Sequence, residues 1–205
     1  MKGFMRRVFL VIVITMAGHA MCAQSDSVAL AEIEKFQAEL NQEYANRSTS
    51  PLNPKQLKNF KGHPFFPINL AYRVKAKLVI TPEEKFFAMQ TSTNQPRLHR
   101  KYADMLFVLA GIPYSLPVYQ SKDLMATKDY ADYLFLPFTD LTNDETTYSG
   151  GRYIGLRIPK EGSELIVDFN LAYHPYCAYS KGYSCPIVPE ENDLPVKIEA
   201  GVKLK

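Results

Sequence analysis

The sequence predicts an all-β domain, a barrel or roll with a β-sandwich as its rival, behind an amphipathic N-terminal helix. From residue 72 onward, apolar and polar residues alternate in about eight short segments separated by turn residues. Strands do not alternate with long helices, as they do in proteins built on a parallel sheet. Extended helical periodicity is confined to the region before residue 45, and residues 121–132 are interpreted as a short helix or helical loop.

The leading helix is predicted from apolar residues spaced three or four apart with polar residues between them. A brief second helix is indicated by Asn53 as N-cap, Pro54 at the first helical position and Gln56 as the capping-box partner. Residues 24–58 therefore form a helical lead-in. The apolar positions of the first helix are Ala29, Ile33, Phe36, Leu40 and Tyr44.

An aromatic segment at 60–68 follows, which we interpret as a plug packed under one end of the barrel or sandwich. Beyond it we expect strands near 72–80, 86–93, 103–109, 112–118, 134–138, 153–158, 165–170 and 196–200. Pro113 and Pro117 remove ladder donors from the fourth of these, which predicts an edge strand or a bulge. Residues 60–205 thus read as the β domain of a single globular unit that spans 24–205.

The first 23 residues have the features of a secretory signal peptide. Three basic residues, Lys2, Arg6 and Arg7, precede an apolar run at 8–17, and small residues follow up to Ala23. The run is shorter than the ~20 apolar residues of a membrane span. We expect cleavage after Ala23 and export, to the periplasm in a Gram-negative bacterium, with no membrane attachment beyond the signal.

Removal of that segment also removes the apparent basicity of the chain. The remaining residues carry 21 basic and 21 acidic side chains. A balanced charge gives no basic footprint for nucleic acid, so we expect no such partner.

The first candidate site is the turn formed by Tyr148, Gly150, Gly151 and Arg152. Paired glycines can present backbone N–H groups to an anion, and an arginine adds a bidentate donor. The alternative is a tight corner that needs positive φ, with Arg152 paired to a carboxylate such as Asp140 or Asp168.

Asp168 and Asn170, in the predicted strand at 165–170, and Tyr173 just beyond it would orient a ligand held at that turn. Tyrosines at 173, 176, 179 and 183 crowd the following loop, where they could bind a sugar or an aromatic ligand or form a loop core. Small polar or anionic ligand binding is the favoured function. A hydrolase that uses Asp140 or Asp168 with a tyrosine, or an envelope interaction protein, is the alternative.

Cys177 and Cys185 form an even pair once the signal peptide has gone. In an oxidising compartment we expect a disulfide between them, worth roughly 2.5 kcal/mol for so short a loop. His174 with the two cysteines gives an alternative zinc-ligand spacing, H-x2-C-x7-C. The disulfide is favoured, and neither a metal nor a cofactor is expected. No nucleophile, metalloprotease or phosphate-loop motif occurs in the sequence.

The segments TYSGGRYIGL, LIVDFNLAY, PYCAYSKGYSCP and VPEEN resemble a family known only as domain of unknown function 1684. The resemblance runs from about residue 60 to the end and is most specific at 135–201. It implies no known activity, cofactor or catalytic residue. The matching positions are Asp140, Thr147, Tyr148, Gly150, Gly151, Arg152, Tyr153, Asp168, Asn170, Tyr173, Pro175, Cys177, Cys185 and Asn192.

The chain departs from the family pattern at three positions. Thr146 stands where a glutamate is usual, His174 where an asparagine is usual, and Val202 where a glutamate is usual. The histidine departure counts against zinc, and the two missing glutamates count against acid–base chemistry shared across the family.

Overall fold

The computed structural model describes residues 25–204, and the predicted signal peptide lies outside this range. Helix α1 occupies residues 25–45, which confirms the predicted N-terminal helix. Its apolar stripe faces inward, because Ala29, Ile33, Leu40 and Tyr44 are buried. The polar residues of the opposite face are exposed: Glu32, Glu34, Lys35, Glu39 and Gln42. None of the helices within 25–204 combines the length and the apolar character needed to cross a bilayer.

Helix α2 (Pro54–Asn59) begins with the predicted capping box. The Asn53 side chain accepts from the backbone N–H of Gln56, and the Gln56 side chain accepts from the Asn53 N–H. Both otherwise unpaired donors are satisfied, so a helix of only six residues begins at a defined point.

Eight strands make up the sheet: β1 (Arg73–Ile80), β2 (Phe87–Met89), β3 (Arg97–Leu109), β4 (Ile112–Ser121), β5 (Tyr133–Asp140), β6 (Arg152–Arg157), β7 (Glu164–Asp168) and β8 (Asp193–Leu194). A short helix, α3 (Lys122–Met125), follows β4. The strand order is β6-β5-β4-β3-β1-β7, with β2 added to β3 and β8 to β5. All pairings are antiparallel except the short one between β5 and β8. The sheet curves into a half-barrel, which confirms the all-β class.

An isolated bridge joins β6, at one end of the sheet order, to the segment that follows β7, at the other end. Tyr153 in β6 pairs with Tyr173, five residues beyond the end of β7. Each residue donates its N–H to the carbonyl of the other, at 2.9 and 3.0 Å. This bridge brings the segment after β7 against β6, where much of the candidate site is built.

Strand β4 explains how two prolines fit inside a sheet. It pairs with β3 along its whole length but with β5 only at Tyr119 and Phe135. Pro113 and Pro117 precede that contact, so they interrupt no ladder towards β5. Strand β4 is central in the sheet order. Its first part nevertheless has no ladder to β5, as the two prolines predict for an edge strand.

The prediction of a strand at 196–200 is wrong. Hydrogen bonds from side chains explain why no strand forms there. The Ile198 N–H donates to the Asp140 carboxylate at 2.6 Å, and the carbonyls of Ile198 and Ala200 accept from Arg152. Buried side chains thus satisfy backbone groups that a neighbouring strand would otherwise pair.

The inner face of the sheet forms the main core, with Phe107, Leu116, Leu136, Ile154 and Phe169 among its buried members. A second, smaller core lies between α1, the aromatic segment and the C-terminal residues, where Leu40, Tyr44 and Val202 are packed by Phe60 and Phe65. The aromatic segment therefore packs under α1, and part of it lines the site described next.

Candidate functional site

The glycine pair forms a tight corner between β5 and β6. Gly151 has a φ of +85°, and a Cβ placed there would lie 2.6 Å from the Phe138 carbonyl oxygen. Only glycine fits both constraints. Its N–H donates to the Tyr148 carbonyl at 3.1 Å, so this amide closes the turn and is not directed at a ligand.

Arg152 lies in the protein interior and is paired with Asp140, with Nη2 and Oδ1 3.1 Å apart. Its guanidinium also donates to the carbonyls of Ile198 and Ala200 and stacks 5.1 Å from the centre of the Phe138 ring. Burial lowers the pKa of Arg152 and the nearby carboxylate opposes that shift. Arg152 is thus paired with a carboxylate, which was the alternative to anion binding in the sequence analysis. Its contacts also hold the C-terminal segment against the sheet.

Asp168 and Asn170 form a second buried network. Asp168 accepts from Arg73 Nη1 at 3.1 Å and from the Asn170 backbone N–H at 2.9 Å. The Asn170 side chain bonds both the N–H and the carbonyl of Asn69, each at 3.0 Å. Because Arg73 also bonds Glu32 of α1, this network ties the leading helix to β1 and β7.

The seven predicted ligand-binding residues do not line a common cavity. The Arg152 and Asp168 networks share no member. The Phe138 ring, which contacts Arg152, packs 5.4 Å from the ring of Phe169, the residue that follows Asp168. Tyr173 lines a separate tyrosine-rich pocket, and Tyr148 packs against His174 with ring centres 6.1 Å apart. The polar residues that stood out in the sequence mainly form internal hydrogen bonds and ion pairs that stabilise the fold.

Cys177 and Cys185 are neighbours with free thiols in the structure. The Cys177 N–H donates to the Cys185 sulfur at 3.3 Å. Burial raises the pKa of Cys185 to about 12, so it is a protonated thiol and a poor nucleophile at neutral pH. Within residues 25–204, no three side chains of the metal-ligating types come together, His174 and the two cysteines included. The disulfide remains a prediction.

A cavity of about 490 Å³ lies beside His174, and we call it the histidine pocket. Its wall is mostly apolar. The polar lining residues are two histidines, a tyrosine, a glutamine, an asparagine and two lysines, and none of the lining residues is acidic. It is lined by Leu52, Lys55, Gln56, Asn59, Phe60, Gly62, His63, Pro64, His174, Ala178, Tyr179, Lys203 and Leu204.

Four segments that are far apart in sequence hold this pocket together. Gln56 of α2 donates to the Tyr179 carbonyl at 2.9 Å, which joins α2 to the tyrosine loop. The His63 N–H donates to the Asn41 side chain of α1 at 2.7 Å. The C-terminal segment completes the wall, because the Lys203 N–H donates to the Pro64 carbonyl at 3.0 Å.

Inside the pocket a hydrogen-bond chain connects the two histidines through Tyr179. The Tyr148 N–H donates to His174 Nε2 at 3.2 Å, so the His174 proton resides on Nδ1. That Nδ1 lies 3.3 Å from the Tyr179 hydroxyl, which in turn lies 3.1 Å from His63 Nδ1. The Tyr148 amide therefore donates to His174, the His174 ring donates to the Tyr179 hydroxyl, and that hydroxyl continues the chain to His63.

The electrostatics of the pocket follow from burial. Desolvation lowers the pKa of His174 to about 3, and Arg152 and His63 add to the shift. Burial also raises the pKa of Tyr179 well above its usual value. His174 and Tyr179 are therefore neutral at physiological pH, and Lys55 and Lys203 supply positive charge to the lining.

Sequence reasoning missed most of this pocket. His63 and Lys203 bear no recognisable motif, and the sequence indicates Tyr179 only as one member of the tyrosine cluster. The aromatic segment around Phe60 is interpreted from sequence as packing alone. The available signal was a histidine between Gly62 and Pro64 within a run of phenylalanines, since such a residue is buried with a partner or lines a site.

Residues 25–204 form a mostly antiparallel half-barrel with a leading helix and a partly enclosed apolar pocket, which defines a small β-rich domain. Residues 58–203 match the family model described as Protein of unknown function (DUF1684), and the chain belongs to this family. This confirms the resemblance seen in the sequence.

A solved structure shows the same fold. It is the solution NMR structure of an uncharacterised protein of Haloarcula marismortui from gene locus rrnAC0354, with a TM-score of 0.70 and 28% sequence identity. The match covers 88% of this chain and 97% of that one. A search of curated proteins found no match.

Proposed function

We propose that the protein binds a small anionic ligand with an apolar body in the histidine pocket. The observation that carries this proposal is the lining of the cavity: an apolar wall, two lysines and no carboxylate. A cavity of about 490 Å³ is within the size range of small-molecule sites, which combine apolar walls with a few convergent polar groups.

The polar groups divide into two sets with different roles. Lys55 is exposed and Lys203 half-buried, so they attract the acidic group of the ligand at the mouth. His63 and Tyr179 belong to the internal hydrogen-bond chain and fix the shape of the deeper wall. Phe60 and Leu52 supply apolar contact for the body of the ligand.

This proposal keeps the ligand class predicted from sequence and moves its location. The glycine corner and the Asp168 network stabilise the fold, and His174, which lines the pocket, directly follows the DFNLAY segment. Asp140 and Asp168 each hold a buried or half-buried arginine, which favours binding over a hydrolase that would use them as acid or base. Export to the periplasm is part of the proposal and rests on the N-terminal sequence pattern.

Anilinonaphthalene sulfonate, a fluorescent anion with an aromatic body, is a suitable probe. We expect one saturable site, a weaker affinity at high salt, and a roughly fivefold loss for each of Lys55→Gln and Lys203→Gln. Lys160→Gln, in an exposed turn, is the matched control and should bind like wild type.

Displacement of the probe then identifies the ligand class. Small aromatic or aliphatic carboxylates and phosphate monoesters should displace it, whereas their neutral amides or alcohols should not. Unchanged probe affinity in the Lys55→Gln/Lys203→Gln double variant, with folding verified by circular dichroism, would contradict the proposal.

A further inference from the structure

We infer that a second pocket, between α1 and the tyrosine loop, binds a small organic cation of the alkylammonium or quaternary ammonium class. This tyrosine pocket has a volume of about 360 Å³. It is lined by Phe36, Leu40, Glu43, Tyr153, Tyr173, Pro175, Tyr176, Tyr183, Ser184, Cys185 and Pro186.

The first support is the concentration of aromatic rings around one cavity. Tyr176 and Tyr183 pack edge to face with centres 5.1 Å apart, and Tyr153 and Tyr173 do so at 6.0 Å. Phe36 of α1 adds a fifth ring to the lining. Aromatic faces carry negative partial charge, and several around one space attract a cation that has shed its water.

The second support is the charge of the lining. Glu43 is its one charged residue, and none of the lining residues, all within the described 25–204, is basic. Glu43 is half-buried on α1 and accepts a hydrogen bond from the Tyr176 hydroxyl, which places its carboxylate at the aromatic cluster. A carboxylate beside aromatic rings balances the charge of an ammonium ligand.

The tyrosine hydroxyls themselves do not favour an anion. Those of Tyr153 and Tyr176 donate to the Pro186 carbonyl and to Glu43, so their protons are directed at the protein. Burial raises the pKa of Tyr153, Tyr173 and Tyr176, which keeps all three neutral. The rings therefore present polarisable surface, with Glu43 as the source of negative charge.

The two pockets have opposite chemistry and share no lining residue. They lie on either side of Tyr44, whose ring packs 5.8 Å from Tyr176 and 5.1 Å from Tyr179. The cation site therefore stands independently of the anion site, and each can be tested without the other.

The decisive comparison uses choline and 3,3-dimethylbutan-1-ol, which has the same shape with carbon in place of the charged nitrogen. Titration followed by NMR should show chemical-shift changes for residues of the tyrosine pocket. The affinity for choline should be about tenfold higher than the affinity for the alcohol, or more. Equal affinities, or binding of neither compound, would overturn the proposal.

Variants separate charge from shape. Glu43→Gln keeps the side-chain volume and should reduce choline affinity severalfold while affinity for the alcohol is unchanged. Tyr183→Leu should weaken the binding of choline more than the binding of the alcohol. Glu39→Gln, on the exposed side of α1, and Lys203→Gln, in the histidine pocket, are controls expected to bind choline like wild type. Wild-type choline affinity in a folded Glu43→Gln variant would refute the assignment.

Discussion

The guanidinium of Arg152 and the carboxylate of Asp140 form an ion pair whose side chains have no solvent exposure, with Nη2 and Oδ1 3.1 Å apart. Thr142 donates its hydroxyl to the same carboxylate at 2.9 Å, and the Ile198 N–H donates at 2.6 Å. The pair is therefore the centre of a network that joins β5, β6 and the C-terminal segment.

Asp140→Asn should destabilise the protein strongly, because it leaves the Arg152 charge buried without its counter-ion. We expect a loss of about 3–5 kcal/mol in the free energy of unfolding, measured by urea denaturation. Asp132→Asn breaks the surface pair with Arg157, in which both side chains are about half exposed, and should change stability by less than about 1 kcal/mol. Similar losses in the two variants would show that the buried pair has no special role.

Gly151→Ala should cost more than an ordinary glycine replacement. The new methyl group would lie 2.6 Å from the Phe138 carbonyl oxygen, in addition to the strain of a φ of +85°. Gly162→Ala isolates the second effect, since its φ is +69° and nothing lies within 4 Å of the added atom. We expect about 1 kcal/mol for Gly162→Ala and about 1–3 kcal/mol more for Gly151→Ala, from thermal or urea unfolding. Equal losses would mean that the corner can relax.

Stability should fall in mild acid because of His174. In the folded protein its pKa is about 3, whereas in the unfolded chain it takes up a proton near its ordinary value of 6.5. Between these values the unfolded state binds more protons, so the free energy of unfolding decreases as the pH falls. From pH 7 to pH 5 the contribution of this residue is a loss of about 2 kcal/mol.

His174→Asn is the variant that tests this slope. Asparagine is the residue usual at this position in the family pattern, and its side chain cannot titrate in this range. Urea unfolding at pH 7 and pH 5 should show a shallower pH dependence in the variant, whatever its stability at pH 7. His99, whose pKa burial also lowers, contributes with the same sign, so His99→Gln should remove a further part of the slope. An unchanged slope in both variants would assign the acid sensitivity elsewhere.

The two cysteines provide a test of compartment and of reactivity. Protein recovered from an oxidising compartment, denatured without reductant, should contain no titratable thiol at Cys177 and Cys185. The reduced protein should regain both under denaturing conditions. In its folded reduced state Cys185 should be alkylated slowly at neutral pH, because burial raises its pKa to about 12. Rapid alkylation of Cys185 in a Cys177→Ser variant would contradict the buried-thiol description.

Many positions shared with the family pattern have structural roles. Asn192, for example, is buried and donates to the carbonyls of Pro117 and Pro137 at 2.9 and 2.8 Å, while the Tyr119 hydroxyl donates to it at 2.8 Å. It joins β4 and β5 where their own ladder is nearly absent. Arg152, Asp168 and Asn170 act in the same way, as polar groups that replace missing backbone pairing.

Local pattern in the sequence was enough to predict several elements. The stripe of α1, the Asn53–Gln56 capping box, the period-two strands and the corner at Gly151 all depend on neighbours a few residues apart, where propensity and turn chemistry act. The all-β class follows from these elements alone.

The location of the site was decided by tertiary structure. Whether Arg152 faced a ligand or Asp140 depended on the path of residues 198–200, and the histidine pocket depends on Tyr179 meeting His63, a residue 116 positions away in the chain. Such contacts arise from the curvature of the whole sheet and the packing of α1 and the C-terminal segment against it. No periodicity in the sequence encodes these long-range contacts, because the free energy that favours them comes from burial of the whole assembled core.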